Sequence, residues 1–360
     1  MNIVFFTGGM SKGGAERVLS ILTRMYSERG HNVTIVTLLD DVISYELHPK
    51  VKYISIAKNR RFRVFNYFHW IKGIKEIVKK EKPDIVISFF AKISFLVVKA
   101  KVYKKARLFI SERNSPKDDY TISMKILSRF LFKHAEKLIM QTKEAYEFMP
   151  KKIQKKAVII YNPVDRIPYQ ASYKEEKIVA VGRLTNVKNH ASLIIAFSKL
   201  SSKFNNYKLF IYGQGPLKEE LKKLANDLGV GERVILAGVK DNIFEEISDA
   251  KLFVLPSRAE GLSNALLEAM IMGHVIVGSD IPGINNVLID GKTGYLFKSG
   301  DSEELLNVIE NTLANYEKAK VVGENAKAYM ETEYEALSNQ KWLELIESEK
   351  GDRPNEDITY

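Results

Sequence analysis

The sequence of 360 residues contains no cysteine, which removes several kinds of chemistry at once. Disulfides, thiolate metal sites and cysteine nucleophiles are all excluded, and a reducing compartment is favoured. Long apolar runs are also missing, since no stretch approaches the roughly 20 apolar residues of a membrane-spanning helix. The first apolar run, Ile3 to Phe6, has no basic region before it and predicts a buried strand rather than a signal peptide. We therefore expect a cytoplasmic protein that is not integral to a membrane.

Metal-binding and nucleotide-cofactor patterns are also missing. The six histidines show no H-x-x-x-H spacing, and the glycine-rich segments match neither G-x-G-x-x-G nor the P-loop. The sequence therefore predicts no metal site and no bound cofactor.

Charge is unevenly divided along the chain. Residues 1–165 carry 32 Lys and Arg against 15 Asp and Glu, a net charge of +17, whereas residues 166–360 carry −6. A basic half indicates an anionic partner, either nucleic acid or a membrane surface. Residues 58–82 interleave basic and aromatic side chains, and a second basic helix is predicted over residues 124–137. This pattern is typical of peripheral membrane elements, and no known nucleic-acid module surrounds it. We expect an anionic membrane surface and no nucleic acid as partner; a core helix with a solvated basic face stays an alternative.

Short apolar runs alternate with helical patterns, which predicts an α/β fold with parallel sheets covered on both faces. The first half contains predicted strands and helices at Asn2–Thr7, Gly13–Arg29, His31–Leu38, 64–80, Asp84–Phe89 and Arg107–Ser111. The second half contains them at Lys177–Val181, His190–Lys203, Lys208–Tyr212, Leu217–Leu228, Val234–Ala237 and Leu252–Pro256. The pattern restarts after Asn162–Tyr173, where two prolines indicate a connector. We expect two Rossmann-like domains, residues 1–164 and 165–334, facing each other across a cleft.

Two glutamates flank the densest group of candidate site residues. The segment from Glu260 to Glu268 reads EGLSNALLE, and its two carboxylates are expected on roughly one side of a helix. Gly261 permits a tight turn, Ser263 or Asn264 can cap the helix, and first-turn amides can bind an anion. A carboxylate beside such a site accepts hydrogen bonds from the hydroxyls of a sugar or ribose. For an arbitrary pair of glutamates, two solvated surface residues are the more common arrangement.

Two further segments follow predicted strands and carry ligand-binding residue types. Arg183 and Lys188 follow the strand that opens the second half, and an Arg fork with a Lys charge can hold a diphosphate without a metal. A glycine-rich turn, which includes Gly13 and Gly14, follows the first strand and allows close approach to a phosphate or sugar. Taken alone, each segment also fits an ordinary surface loop or tight turn.

Together these segments resemble the large retaining GT-B glycosyltransferase family 4. The resemblance rests on GGAER near the start, VGRL-x3-K at 181–188, E-x7-E at 260–268, and SDIPG with DGKTGYLF within 279–297. These motifs cover nearly the whole chain, in order and at the expected spacing. The resemblance implies the GT-B fold, with a terminal helix at about 335–350 that crosses back onto the N-terminal domain.

The resemblance also implies a role for each candidate residue. Arg183 and Lys188 would bind the donor diphosphate, where charge grows as the glycosyl–phosphate bond breaks. Glu260 would contact hydroxyls of the transferred sugar, and Glu268 the ribose. Residues of two loops would cradle the donor or close over it from the other domain: Gly261, Leu262, Ser263, Asn264, Ala265, Gly13 and Gly14.

The implied reaction is the retaining, metal-independent transfer of a hexose or N-acetylhexosamine from a nucleotide-sugar, usually a UDP-sugar. The implied acceptor is a polyprenyl-diphosphate-linked saccharide of bacterial capsule, O-antigen or similar glycan biosynthesis, at the inner face of the cell membrane. Two alternatives stay open: a non-catalytic nucleotide-sugar or glycan-binding module of the same shape, and a sugar-nucleotide epimerase.

One segment departs from the family pattern. Many members have a histidine after a strand of the first domain, where residues 110–114 of this chain read ISERN. No acid/base role can be taken over from that histidine. Glu112, Arg113 and Asn114 become candidates for contacts to the acceptor or to phosphate.

Overall fold

The computed structural model describes residues 1–57, 63–113, 128 and 131–347. Its first sheet has seven strands, all paired in parallel. They are β1 (Asn2–Thr7), β2 (Asn32–Thr37), β3 (Lys52–Ser55), β4 (Ile85–Phe89), β5 (Arg107–Ser111), β6 (Lys137–Met140) and β7 (Ala157–Ile159). The spatial order is β3-β2-β1-β4-β5-β6-β7. The helices between them are α1 (Gly14–Glu28), α2 (Arg63–Glu81), α3 (Ala91–Lys99), a 3-10 turn (Val102–Lys104), α4 (Lys143–Glu147) and α5 (Lys151–Gln154).

The second sheet has six strands, again all parallel. They are β8 (Glu175–Val181), β9 (Lys208–Tyr212), β10 (Val234–Gly238), β11 (Ala250–Leu255), β12 (Ile276–Ser279) and β13 (Tyr295–Phe297), in the order β10-β9-β8-β11-β12-β13. The first helices on this sheet are α6 (His190–Ser198), a 3-10 turn (Ser202–Phe204), α7 (Lys218–Asp227), α8 (Ile243–Ile247) and α9 (Asn264–Met272). The last ones are α10 (Ser302–Ala314), α11 (Tyr316–Tyr329), a π-helical turn (Met330–Tyr334), α12 (Glu335–Leu337) and α13 (Asn339–Glu347).

The central strands are apolar on both faces because helices cover both sides of each sheet. In β1, Val4 and Phe6 belong to the core under α2 and α3, whereas Ile3 and Phe5 belong to the opposite core under α1. The alternation of side chains along a strand sends neighbouring residues into different cores. The second sheet has the same two-core arrangement.

The terminal helix returns to the first domain. Trp342 of α13 is fully buried in the same core as Phe5. Its Nε1 donates to the Tyr161 carbonyl at 2.9 Å, and the Tyr26 hydroxyl donates to the Trp342 carbonyl at 2.8 Å. The crossing implied by the family resemblance is confirmed.

Several short elements were not predicted from the sequence, and some predicted bounds are wrong. The strands β3, β6, β7, β12 and β13 are three or four residues long, too short to show a clear period. Lys137 begins β6 and so does not end a basic helix, and residues 114–127 and 129–130 of that region lie outside the described residues. The division of the domains near residue 164 stays a prediction: the first sheet ends at Ile159 and the second begins at Glu175.

Candidate active site

Both sheets reverse their strand order near the centre, between β1 and β4 in the first and between β8 and β11 in the second. Loops that leave the carboxyl ends of such strand pairs diverge and open a crevice that binds ligands in parallel α/β sheets. Gly13 and Gly14 follow β1, Arg183 and Lys188 follow β8, and the 260–268 segment follows β11. The fold therefore brings the predicted donor-side segments to the carboxyl ends of the two sheets.

The two crevices face each other directly. The Asn264 side-chain amide on α9 donates to the Gly14 carbonyl at 2.8 Å, which joins the two predicted donor loops. At the rim, Lys12 Nζ lies 3.4 Å from Asp241 Oδ1. The glycine-rich turn after β1 and the 260–268 segment are thus in contact across the cleft.

Lys188 and Glu260 form the closest charged contact in the second crevice. The Lys188 ammonium donates to Glu260 Oε1, and the Ser257 hydroxyl donates to the same oxygen at 2.7 Å. The side chains of Lys188 and Glu260 are 19% and 11% exposed, so water screens the pair only in part. The loops are also joined through their backbones, because Arg258 N donates to the Val187 carbonyl at 2.7 Å.

Glu260 lies in the loop before α9 and not on that helix. The prediction that both glutamates share one helical face is wrong, because α9 begins only at Asn264. Ser263 occupies the N-cap position, but its side chain makes no capping hydrogen bond, and the Asn264 side chain bonds to the other domain instead. The helix therefore starts without the side-chain cap that the sequence suggested.

Arg183 is exposed in the turn that follows β8. Burial raises the pKa of Glu16 on α1, and the Arg183 charge acts on that carboxyl in the opposite direction. Arg183 of the second domain therefore lies within electrostatic range of a carboxyl on α1 of the first domain.

Two glycines allow the loops to pack backbone against backbone. A Cβ at Gly283 would lie 1.9 Å from the Gly261 carbonyl oxygen and 2.6 Å from that of Glu260. Gly213, at φ +143°, has the same relation to the Gly182 carbonyl oxygen, at 1.9 Å. The positions of the 260–261 loop and of the Gly182–Arg183 turn therefore depend on glycine in a neighbouring loop.

Glu268 lies deeper, on α9, and pairs with a residue of the other domain. Arg17 Nε of α1 lies 3.4 Å from Glu268 Oε1. Burial raises the pKa of Glu268 to about 7, the Arg17 charge opposes this shift, and Asp165 adds to it. The pKa of this carboxyl is therefore close to neutral pH, well above that of a solvated glutamate.

Glu112 and Arg113 are buried in the first domain. Glu112 is 2% exposed and accepts from the Arg113 backbone N–H at 3.1 Å, while the Arg113 guanidinium lies over the rings of Phe89 and Trp342. Burial lowers the pKa of Arg113 to about 9. The predicted acceptor contacts of these two residues stay predictions, and Asn114 lies outside the described residues.

The sequence reasoning missed Asn162, which links three parts of the molecule. Its side-chain N–H donates to the Leu262 carbonyl at 3.0 Å and to Asn264 Oδ1 at 2.7 Å, and its Oδ1 accepts from Arg113 Nη1 at 2.7 Å. Its backbone carbonyl accepts from the Tyr334 hydroxyl at 2.9 Å. Asn162 follows the short strand β7, which the sequence did not predict, so no sequence signal marked its place among the ligand-side loops.

Two further properties concern only the residues that the structure describes. Among them, no group of three or more His, Cys, Asp or Glu side chains is arranged to hold a metal ion. Nor does this part of the chain contain a helix both long and apolar enough to cross a bilayer.

Both domains of the chain match known protein families. The family described as "Glycosyltransferase Family 4" matches residues 12–166, and the family described as "Glycosyl transferases group 1" matches residues 163–329. Together they cover every described candidate residue of the cleft and all strands of both sheets except β1, which ends at Thr7. The chain is therefore built from one domain of each of these two glycosyltransferase families, and it is a glycosyltransferase.

Two similar proteins come from Campylobacter jejuni. The first, N-acetylgalactosamine-N,N'-diacetylbacillosaminyl-diphospho-undecaprenol 4-alpha-N-acetylgalactosaminyltransferase, is 27% identical over 344 residues, 89% of this chain and 93% of that protein. The second is an alpha-1,4-N-acetyl-D-galactosaminyltransferase acting on a diphospho-undecaprenol-linked GalNAc saccharide. It is 26% identical over 96% of this chain and 98% of its own length.

A solved structure shows the same fold. Anabaena HepE in complex with UDP and glucose superposes with a TM-score of 0.80 at 18% identity, covering 97% of this chain and 100% of that one. The two facing Rossmann-like domains are therefore those of a GT-B glycosyltransferase, as predicted.

Proposed function

We propose that this glycosyltransferase is a retaining, metal-independent enzyme that transfers a hexose or N-acetylhexosamine from a UDP-sugar to a saccharide on a polyprenyl diphosphate. The observation that carries the proposal is the ion pair of Lys188 with Glu260, beside Arg183, at the mouth of the second sheet. The names of the Campylobacter relatives support the acceptor class. UDP and glucose in a neighbour of the same fold support the donor class.

The charges in the second crevice suit departure of a nucleoside diphosphate. Breaking the glycosyl–phosphate bond leaves negative charge on the diphosphate, which Arg183 and Lys188 would stabilise. Glu260, held by Lys188 and Ser257, would accept hydrogen bonds from hydroxyls of the transferred sugar. Glu268 would accept from the ribose hydroxyls of the nucleotide.

Retention is proposed to occur by attack on the face from which the leaving group departs. Lys188 and Ser257 both donate to Glu260 Oε1, which supports a role for this carboxylate in holding the donor sugar. A leaving diphosphate oxygen would take the proton of the acceptor hydroxyl. The hydroxyl oxygen then bonds to the sugar as the glycosyl–phosphate bond breaks.

A donor-binding measurement tests the second crevice. Calorimetric titration with UDP, GDP and their sugars should show tighter binding of the uridine ligands, and R183A and K188A should each lose at least about tenfold in affinity. K222A, on the exposed surface of α7, is the matched control and should bind as the wild type does. Equal binding by wild type, R183A and K188A would contradict the diphosphate assignment.

Product analysis separates the transferase from the alternatives. A transferase releases UDP only when a polyprenyl-diphosphate-linked acceptor is present. An epimerase converts the nucleotide-sugar without any acceptor, and a binding module leaves it unchanged.

We further propose that the N-terminal domain docks on the inner face of an anionic membrane. The outward stripe of α2 carries Phe68, Lys72, Lys75 and Lys79, at helical spacing. Phe68 is 68% exposed, and the Lys72 side chain is 79% exposed. An exposed aromatic ring among lysines fits the interface of a bilayer rich in acidic lipids.

Vesicle co-sedimentation tests this docking. Replacing Lys72, Lys75 and Lys79 by glutamine, or Arg60, Arg61 and Arg63 by glutamine, should weaken binding to vesicles with acidic lipid, at about 1 kcal/mol per charge. The matched control replaces Lys218, Lys222 and Lys223 of the second domain and should bind as the wild type does. Binding that is independent of acidic lipid would rule the docking out.

A further inference from the structure

Arg17 connects the N-terminal domain to two helices of the donor domain. It follows the glycine turn in the first part of α1. Its Nε lies 3.4 Å from Glu268 Oε1 on α9, and its Cζ lies 5.8 Å from the centre of the Phe244 ring on α8. The Phe244 ring lies beside the guanidinium and limits the directions from which Arg17 can meet the carboxylate.

Glu268 is partly buried among both apolar and polar side chains. Glu268 and Arg17 line a small pocket together with Ile21 of α1, with Leu267 and Ile271 of α9, and with connector residues Pro163 to Asp165. The charged and titratable groups that act on the carboxyl come from three elements: Arg17 on α1, Asp165 in the connector and Tyr45 after β2. Asp165 is itself paired with Arg24 of α1. Among the residues that the structure describes, Arg17 is the cation paired with Glu268.

We propose that Arg17 is a positioning residue for donor binding, which orients Glu268 as an ionised acceptor for the ribose hydroxyls and so couples nucleotide affinity to contact between the domains. The inference rests on the proposed role of Glu268 at the ribose. It adds that the strength of this contact is set by a residue of the opposite domain.

The effect of Arg17 on ribose binding is expected to act through the charge of the Glu268 carboxyl. An ionised carboxylate accepts hydrogen bonds from two neighbouring hydroxyls, whereas a protonated carboxyl has lost part of that capacity. Burial alone would protonate Glu268 near neutral pH, and Arg17 counteracts this effect. When the domains separate, Arg17 leaves with α1, so Glu268 loses the ion pair that orients its carboxylate. Ribose binding is therefore strongest when the cleft is closed.

The test compares UDP with 2'-deoxy-UDP, because only the first carries the 2'-hydroxyl. Dissociation constants are measured by calorimetry between about pH 6 and pH 8.5 for wild type, R17Q, R17K, E268Q and the control R29Q. Arg29 lies just beyond α1, carries the same charge and is 58% exposed, outside the cleft. Circular dichroism melting verifies that each variant is folded.

In the wild type we expect UDP to be preferred about tenfold above pH 7, with the preference falling as the pH drops through about 7 and Glu268 takes up a proton. R17Q should show the same fall at higher pH and so lose the preference at neutral pH. R17K should restore most of it, R29Q should match the wild type, and E268Q, whose amide does not titrate, should show a reduced preference that is the same at every pH.

Different results identify which idea fails. If E268Q keeps the wild-type preference, Glu268 does not contact the ribose, and the proposed function of that residue is wrong. If E268Q shows the reduced preference while R17Q keeps both the wild-type preference and its pH midpoint, the role of Arg17 is overturned and that of Glu268 stands. If R17Q does not fold, a wild-type preference that is constant from pH 6 to 8 would overturn the inference by itself.

Discussion

The Lys188 ammonium is bound to the Glu260 carboxylate, and this pair joins the loops that follow β8 and β11, the two strands at the reversal point of the second sheet. Seventy-two residues of sequence separate the two side chains. A parallel sheet brings them together because both loops leave its carboxyl edge. The pair therefore holds a cation at the expected diphosphate position and a carboxylate at the expected sugar position.

Loss of the cation should remove most of the activity. K188M deletes the charge that would stabilise the leaving diphosphate, so we expect kcat to fall at least about 100-fold. It also leaves Glu260 without its partner in a largely buried place, which should cost about 1–3 kcal/mol of unfolding free energy. S257A, which removes only the neutral donor to Glu260, is the comparison and should cost no more than about tenfold in kcat. Comparable rates for K188M and wild type would contradict the assignment.

The loop at Glu260 and Gly261 packs so closely against Gly283 that adding one methyl group at Gly283 should weaken donor binding. In G283A the new Cβ would meet the Gly261 and Glu260 carbonyls, so the loop must move away from its present position. We expect UDP-sugar affinity to fall at least about tenfold, because a displacement near 1 Å is enough to disturb a binding geometry.

The matched control is G229A. Gly229 has φ +71° but nothing within 4 Å of an added Cβ, so the variant should lose about 1 kcal/mol of stability and no donor affinity. Equal donor affinities for G283A and G229A would show that the loop tolerates the displacement.

Asn162 should contribute to stability far more than a surface asparagine. N162A leaves the Leu262 carbonyl and the Arg113 Nη1 group without these bonds in a buried place. We expect a loss of about 2–4 kcal/mol in urea unfolding, from two or more unsatisfied groups. N205A, in an exposed turn, should stay within about 0.5 kcal/mol of the wild type. A loss for N162A as small as that for N205A would mean that water replaces the missing amide.

Two buried histidines predict the acid sensitivity of the fold. Burial lowers the pKa values of His190 and His274 to about 4, from 6.5 in the unfolded chain. As the pH falls below about 6.5 the unfolded state takes up these protons first, so the stability that they contribute is complete above that pH and is lost progressively toward pH 4. Between pH 7 and about 4.5 the wild type should therefore lose about 2–3 kcal/mol per histidine.

The double variant H190Q/H274Q isolates this effect. Glu268, whose raised pKa acts in the opposite direction between 4.5 and 7, is present in both proteins and cancels in the comparison. Unfolding free energies that depend on pH equally in both proteins would show that the two imidazoles are not responsible.

The sequence allowed the long elements and the site loops to be predicted, because each loop follows a strongly apolar strand. That pattern placed Arg183, Lys188 and Glu260 in loops after strands of the second domain, and the family resemblance joined them into one site. The contact between Arg17 and Glu268 could not be predicted, since it depends on how far two separate domains approach each other. The burial of Glu112 and Arg113 was missed for a related reason: Trp342, over which the Arg113 guanidinium lies, belongs to a helix more than 200 residues away.

The most direct test of the transferase assignment is a turnover assay with UDP-N-acetylhexosamines and UDP-hexoses and a saccharide on undecaprenyl diphosphate. We predict release of UDP that requires the acceptor, a product with the anomeric configuration of the donor, and a rate at least about 100-fold lower in E260Q, which still binds UDP. Release of UDP without acceptor, a product of inverted configuration, or full activity of E260Q would contradict the proposed mechanism.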